Sequence, residues 1–502
     1  MSSPSTRDVV AEEVSTDQIS RYNCNPQETI ISVQDQGFRL SIGDLENLRS
    51  LDEAFKAAQI ETPAPPLIQR VPSMLSGNKQ FLKYFKPRVI AIGPLHHDDP
   101  SLRGAEKLKL KLTAHFLKNH VSRKEILYSK IKMDIANLKK SYDPKEIEQY
   151  YDDDEKLTWM FVLDGCAVLQ AIYLRHDPQQ KDEKGASNEL NIKNDLLTFV
   201  YLDLFLLENQ LPYRVLELLT SSSNNGQRFK ESIKSFIDDN VMTTAEMKKE
   251  QQRQQQQQKQ GKQQKQQQER EPAHLLELLR ARLLAKTEEK ESPVLSNWCN
   301  RLFKHIESSY QKGKTSHHSH TFRNVKELRE AGIWLRPSET SCLKDISFNR
   351  VCCVGKLMLP PITVDDSTGP KFMNLIAYEM CPDFDNDFAV TSYICFLDSL
   401  IDEAEDVKAL RDAGILYNGL GSDEEVAKLF NKMNTDLVPS PEIYSKLKTQ
   451  IQNHCRNMWI TYAAQAYHTH FRSPWTFLAF VGAIAALCLS ALQTYYTIHP
   501  KN

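Results

Sequence analysis

From Trp475 to Leu492 the chain reads WTFLAFVGAIAALCLSAL, an almost unbroken apolar run in a protein that is otherwise hydrophilic. A helix rises about 1.5 Å per residue, so a helix carried on to Ile498 would reach roughly 36 Å, enough to cross a hydrocarbon core of about 30 Å with some tilt. Trp475 at one end and Tyr495 and Tyr496 at the other suit the two membrane interfaces. The sequence therefore predicts one transmembrane helix over 474–498. The alternative is a buried C-terminal helix of a soluble core, which would more usually show a polar face.

The N-terminal stretch has no basic leader followed by an apolar segment, and Ser2 stands where N-myristoylation requires glycine. These readings make the span a tail anchor and place the bulk of the chain in the cytosol. Arg472 before the span and Lys501 after it say little about orientation.

With 40% hydrophobic and 25% charged residues, the chain has the make-up of a globular protein with a sizeable core. Lys and Arg number 63 against 65 Asp and Glu, so the overall field that would attract nucleic acid is absent, and none is expected as a partner. Arg103, Lys107, Lys109, Lys111, Lys118, Arg123 and Lys124 read as a solvated basic helix face, and Asp152 to Glu155 as an acidic one. The ten cysteines form no CxxC pair or regular framework, which fits reduced thiols in a cytosolic protein. His317, His318 and His320 cluster without a cysteine at finger-like spacing, so they read as a loop and no metal is expected. No cofactor is expected either, and the chain contains no nucleophile elbow, phosphate loop or HExxH helix.

Along the chain, residues 1–40 are polar and read as a disordered arm. Leu45, Leu48, Leu51 and Phe55 then give one amphipathic helix, ended by the prolines of a 41–66 segment. A multi-helix domain follows over 67–470. Leu157–Leu174 and Leu196–Leu207 are apolar almost all round and read as central core helices, the second turning a polar corner into a helix that starts near Pro212. The glutamine-rich tract Gln251–Gln268 cannot offset its ordering entropy, so 243–271 reads as a disordered insertion within this domain. Past a helix at Val325–Ala331, stopped by Gly332, the period shortens. Leu343–Phe348, Val351–Leu359 and Ile362–Val364 predict a small β element. Helices return at Lys371–Met380, Ser392–Ile401, Glu403–Ala413, Ser422–Lys432 and Tyr444–Thr469, with Ser422 and Glu425 forming a capping box. The expected fold is mainly α: a multi-helix globular domain with a small β element and one C-terminal transmembrane helix.

A collinear set of short motifs runs through these segments. It includes Ile68-Gln69-Arg70-Val71-Pro72, Tyr84-Phe85-Lys86-Pro87, Gly93-Pro94-Leu95-His96-His97, Glu106-Lys107, Leu163-Asp164-Gly165-Cys166 and Asp203. It continues with Glu208-Asn209-Gln210-Leu211-Pro212, Glu327-Leu328 to Gly332, Asn374 to Glu379, Gly414-Ile415 and Pro474-Trp475. Together, over about residues 67–497, they resemble the plant family of membrane-anchored proteins catalogued as domain of unknown function 247. Leu95, Ala167 and the glutamine tract depart from the family's pattern. The resemblance implies a helical plant protein with a C-terminal membrane segment and no established activity. Some grass members look like determinants of pollen self-incompatibility, which implies recognition of a protein partner as a family capability.

The motif residues could be structural or catalytic. Gly93-Pro94 forces a turn where His96 and His97 can bond to backbone, and Glu208, Asn209 and Gln210 can satisfy orphan backbone groups at a helix corner. Asp164-Gly165 in an apolar helix suggests a buried carboxylate beside a closely approaching backbone. Two function classes follow: a membrane-tethered recognition protein, or a membrane-bound hydrolase or transferase using the His96, Asp164 and Cys166 region. Within the expected span Ala479, Gly482, Ala483, Ala486 and Ser490 share one face, a pattern that favours packing against a second copy.

Overall fold

Apolar residues recurring every three or four positions fold this chain mainly into helices. A computed structural model describes residues 41–60, 66–176, 190–242, 271–285, 324–351, 354–385, 387–435, 437–456 and 474–498. The expected arm at 1–40, the glutamine tract and the His317–His320 cluster lie outside the described residues. Helix α1 (Ile42–Ile60) belongs to a unit of its own, which ends at Ala64. A reciprocal cap starts it: Ser41 Oγ accepts the Asp44 N–H, and the Asp44 carboxylate accepts the Ser41 N–H. Leu48, Leu51 and Phe55 are exposed along it.

The second unit, Pro65–Asn502, holds the remaining elements. Its first half contains α2 (Glu106–His120), α3 (Lys124–Lys139), α4 (Asp154–His176), α5 (Asn194–Asp203), α6 (Tyr213–Ser221), α7 (Gly226–Asn240) and α8 (Leu275–Leu284). From Leu157 to Tyr173 the residues of α4 are buried on all sides except Trp159, and α2, α3, α5, α6 and α7 pack around it. Helix α6 packs tightly against Gly165, where a Cβ would stand 2.5 Å from Leu219 Cδ1 and 3.0 Å from Val215 Cγ1. The tight contact at Gly165 is therefore with side chains of α6, not with a backbone.

Helix α5 ends at Asp203, short of the expected Leu207, and Leu204 to Leu207 form a buried turn. The cause lies just downstream. Asn209 Nδ2 donates to Asp203 O at 2.9 Å, and Gln210 Nε2 donates to Leu204 O and Leu206 O at 2.8 and 2.7 Å. Side-chain amides thus take carbonyls that a longer helix would have used.

The second half opens with α9 (Val325–Glu330), after which Gly332 adopts φ 77°, the left-handed stop. Strands β1 (Ile333–Pro337), β2 (Ser347–Val351) and β3 (Val354–Leu359) form a sheet in the order β1-β3-β2. β3 runs parallel to β1, with Ile333 opposite Gly355, and antiparallel to β2, with Ser347 opposite Met358. β4 (Ile362–Val364) pairs in parallel with β5 (Leu416–Asn418). β1 and β5 were not expected, and the first predicted strand starts at Ser347 instead of Leu343.

Helices α10 (Thr368–Glu379), α11 (Ala389–Asp398), α12 (Ala404–Asp412), α13 (Asp423–Met433) and α14 (Ser445–Cys455) complete this half. Ser422 caps α13 by accepting the Glu425 N–H at 3.3 Å, while the Glu425 carboxylate reaches Gly421 N and not Ser422. The expected continuation of α14 to Thr469 lies outside the described residues.

Among the described residues, the helix long and apolar enough to cross a membrane is α4, and 89% of its apolar window is buried inside the fold. It is a core helix. The last helix, α15 (Pro474–Ile498), contributes a described apolar stretch, Gly482–Tyr495, that is shorter than a span needs.

Candidate functional site

The segment from Lys86 to Leu95 has no helix or ladder of its own, so its backbone donors must find partners elsewhere. Motif side chains supply them. The Asp203 carboxylate accepts the N–H groups of Arg88, Val89 and Ile90 at 2.8 to 3.1 Å. Burial pushes this carboxyl up, opposed by the three N–H donors. Asn209 Oδ1 accepts the Ile92 N–H at 2.7 Å while its amide donates to Ile90 O. The Gly93 N–H donates to Asp164 Oδ2 at 2.9 Å. Gly93 itself has φ 74°, and a Cβ there would lie 2.7 Å from Gln210 O, so both conformation and space require glycine.

Behind this loop lies a buried ion pair. Lys109 on α2 and Asp164 on α4 are both inaccessible, with Nζ to Oδ1 at 2.8 Å, and Glu106 Oε1 lies 2.9 Å from the same ammonium. Burial pushes Asp164 up despite Lys109 and the Gly93 N–H. Burial also works against the Lys109 charge, yet Asp164 and Glu106 together hold it above its ordinary value. One ammonium faces two carboxylates, so the cation is the more firmly held partner. Lys109 therefore does not belong to the solvated basic face expected from its neighbours; Lys107, beside it, does and is exposed.

A third contact closes the loop from outside. Glu208 accepts the Val71 N–H at 2.9 Å, lies 3.0 Å from His96 Nε2, and has Arg70 Nη1 at 3.7 Å. Burial opposes the Glu208 charge, but His96, the Val71 N–H and Arg70 outweigh it and hold the carboxyl below its usual range. His96 thus meets a carboxylate, where a backbone partner was expected. His97 packs edge-on to Tyr150, ring centroids 6.3 Å apart. Pro72 precedes a helical turn at Ser73–Ser76, Pro94 is buried, and Pro212 precedes α6.

The same device joins the two halves of this unit. Asn374 on α10 donates to Tyr84 O and Pro370 O and accepts the Leu207 N–H, each at 2.8 Å. Glu379, at the end of α10, accepts the Val390 and Thr391 N–H groups and pairs with Arg280 Nη2 at 2.7 Å. Leu328 is buried on α9, whereas Glu327 is exposed.

The three candidates for chemistry sit in separate surroundings. His96 pairs with Glu208, Asp164 with Lys109, and Cys166 is fully buried, where desolvation pushes its thiol far up and away from the thiolate a nucleophile needs. Lys109, which the sequence places on a solvated basic face, completes the network with Arg280 and with Tyr142, whose hydroxyl donates to Gln210 O at 3.0 Å; the sequence singles out neither of these two. For Lys109 a signal existed. It shares the helix face of Leu112, Thr113 and Phe116, and an aspartate inside an apolar helix needs hydrogen-bond donors or a cation beside it. Among the described residues no group of His, Cys, Asp and Glu is placed to hold a metal ion. A cleft of about 870 Å³ lies apart from His96, Asp164 and Cys166, and Arg88, Arg175, Phe199, Lys371 and Lys432 are among its walls.

Comparison with known proteins follows the same stretch of chain. Residues 68–489 match the family DUF247, described as plant protein of unknown function. The UPF0481 protein At3g47200 of Arabidopsis thaliana is 26% identical over 445 residues, which cover 83% of each chain. The putative UPF0481 protein At3g02645 of the same plant is 27% identical over 176 residues, 35% of this chain and 33% of that one. No solved structure matches.

Proposed function

The chain belongs to the DUF247 family of plant proteins of unknown function, and from that premise we propose that it is a membrane-anchored interaction protein. In this reading α15 holds it at a membrane and the globular unit recognises a protein partner, as in self-incompatibility-like signalling. The observation that carries the anchor is α15 itself. Its described side chains are exposed, Leu478, Ile484, Leu487, Leu489 and Leu492 among them, and no Asp, Glu, Lys or Arg lies between Pro474 and Ile498. Full burial of such a side chain is worth about 1.5–3 kcal/mol relative to full exposure, and these are about half to two-thirds exposed. A bilayer would supply an apolar surrounding to the described side chains.

Free thiols at Cys166, Cys381 and Cys395 support a reducing, cytosolic location for the globular unit. Gly482, Ala486 and Ser490 follow one another at four-residue spacing, and a Cβ on Gly482 would meet nothing within 4 Å. That face is open to a second copy in the bilayer, which supports a homo-oligomer. No observation favours the hydrolase or transferase reading, since His96 and Asp164 are engaged with separate partners and Cys166 is a buried thiol.

Removing residues 473–502 is expected to move the protein from the alkaline-washed membrane pellet to the soluble fraction. A full-length protein that is already soluble after that wash would overturn the anchor.

A further inference from the structure

The cleft of about 870 Å³ falls within the size range of small-molecule sites, roughly 300–1,000 Å³. Its walls come from far-apart parts of one unit: the end of α4, α5, the end of α7, the loop before α10, and α13. Lys83, Arg88, Arg175, Lys371, Lys428 and Lys432 line it, against four carboxylates. Three of those carboxylates are already engaged. Asp239 lies 3.2 Å from His176 Nδ1, Asp365 accepts the Ser367 N–H and hydroxyl, and Glu425 accepts the Gly421 N–H.

The cations are differently placed. Among the described residues Lys83, Arg88, Lys428 and Lys432 have no carboxylate within ion-pair distance. Two of them lie over aromatic rings instead, Lys83 over Tyr84 at 5.0 Å and Lys432 over Phe81 at 5.9 Å. The first turn of α10 also lines this cleft through Ser367, Gly369 and Pro370, with Asp365 capping it. Phe199, 42% exposed although aromatic, is also among the walls. Several cations without carboxylate partners and an apolar ring in one cleft make a surface for a multiply charged anion that carries an organic body.

We propose that this cleft binds a phosphate-bearing small ligand, with Arg88, Lys83, Lys428 and Lys432 taking the phosphate oxygens and Phe199 covering the organic part. The phosphate could be carried by a soluble metabolite or by a phosphoinositide headgroup. The inference stands on the globular unit and does not depend on the anchor.

The test uses the full chain in detergent micelles, titrated by calorimetry with inorganic tripolyphosphate, and in nanodiscs with or without phosphatidylinositol 4-phosphate. Saturable one-to-one binding is expected in at least one arm. Micelles alone would identify a soluble ligand, and nanodiscs alone a lipid headgroup. Arg88→Gln combined with Lys432→Gln should weaken binding about tenfold or more, since both groups would meet the phosphate directly. Lys428→Gln, on the exposed face of α13, should weaken it severalfold even if the double variant does not fold. Lys107→Gln combined with Lys132→Gln removes the same charge from exposed positions elsewhere and should leave affinity within about twofold. No saturable binding in either arm, or equal losses from the cleft and control variants, would overturn the proposal.

Discussion

At the scale of single residues, polar side chains do the work that secondary structure does elsewhere. Asp203, Asn209, Asp164 and Glu208 between them satisfy the N–H groups of Val71, Arg88, Val89, Ile90, Ile92 and Gly93. The Lys109–Asp164 pair behind them is costly to disturb. Lys109→Met leaves a carboxylate with no access to water, and such a loss destabilises by about 3–5 kcal/mol. Lys109→Met combined with Asp164→Asn should recover at least half of that loss. The introduced amide carries no charge and its oxygen can still accept the Gly93 N–H. Urea midpoints of the chain lacking residues 473–502 would measure this. Additive losses in the double variant would mean that the pair is not coupled.

At the scale of elements, charge at a helix end produces a pH dependence. Asp398 is the last residue of α11, where the helix dipole disfavours a carboxylate, and it accepts from Asn434 Nδ2 at 2.6 Å. Burial raises its pKa from 3.8 to about 6, with Asp402 adding to the shift. A carboxyl raised by folding binds its proton more tightly in the native state. Its contribution to stability is therefore full below about pH 4, falls as pH rises towards about 6, and stays lower above that. Asp398→Asn should raise stability at pH 7.5 by about 1 kcal/mol, less than the full linkage value because the carboxylate keeps part of its water. At pH 4 the two proteins should melt alike. Equal melting at both values would show that Asp398 ionises normally in the fold.

At the scale of the whole molecule, the chain is pinned by backbone hydrogen bonds on both sides of the polar glutamine tract. The Thr363 N–H donates to Met242 O at 3.0 Å just before the tract, and the Tyr213 N–H donates to Ala273 O at 2.7 Å just after. Met242 and Leu275 are both part of the core. Longer loops add closure entropy only slowly, so deleting Gln251–Gln268 should leave the melting midpoint of the globular unit within about two degrees. A fall of roughly ten degrees would show the tract to be part of the packed structure.

Local physics made several elements legible before any fold was known. The apolar run of α4 implied burial on every side, Ser422 implied a cap, and Gly332 implied a stop, because each depends on residues within a turn or two. The mainly helical class and the family followed from the same stretches of sequence. Contacts between distant segments decided the rest. β1 and β5 are short strands that exist only as parallel partners of β3 and β4, so neither carries a period that identifies it alone. Lys109 reads as one more cation in a basic helix until Asp164, on another helix, is placed beside it. The end of α5 is set by amides six residues further on, and the cleft is assembled from segments hundreds of positions apart. Spacing along a helix determines which face is apolar; only packing determines which charge that face encloses, because enclosure requires a partner that the spacing does not name.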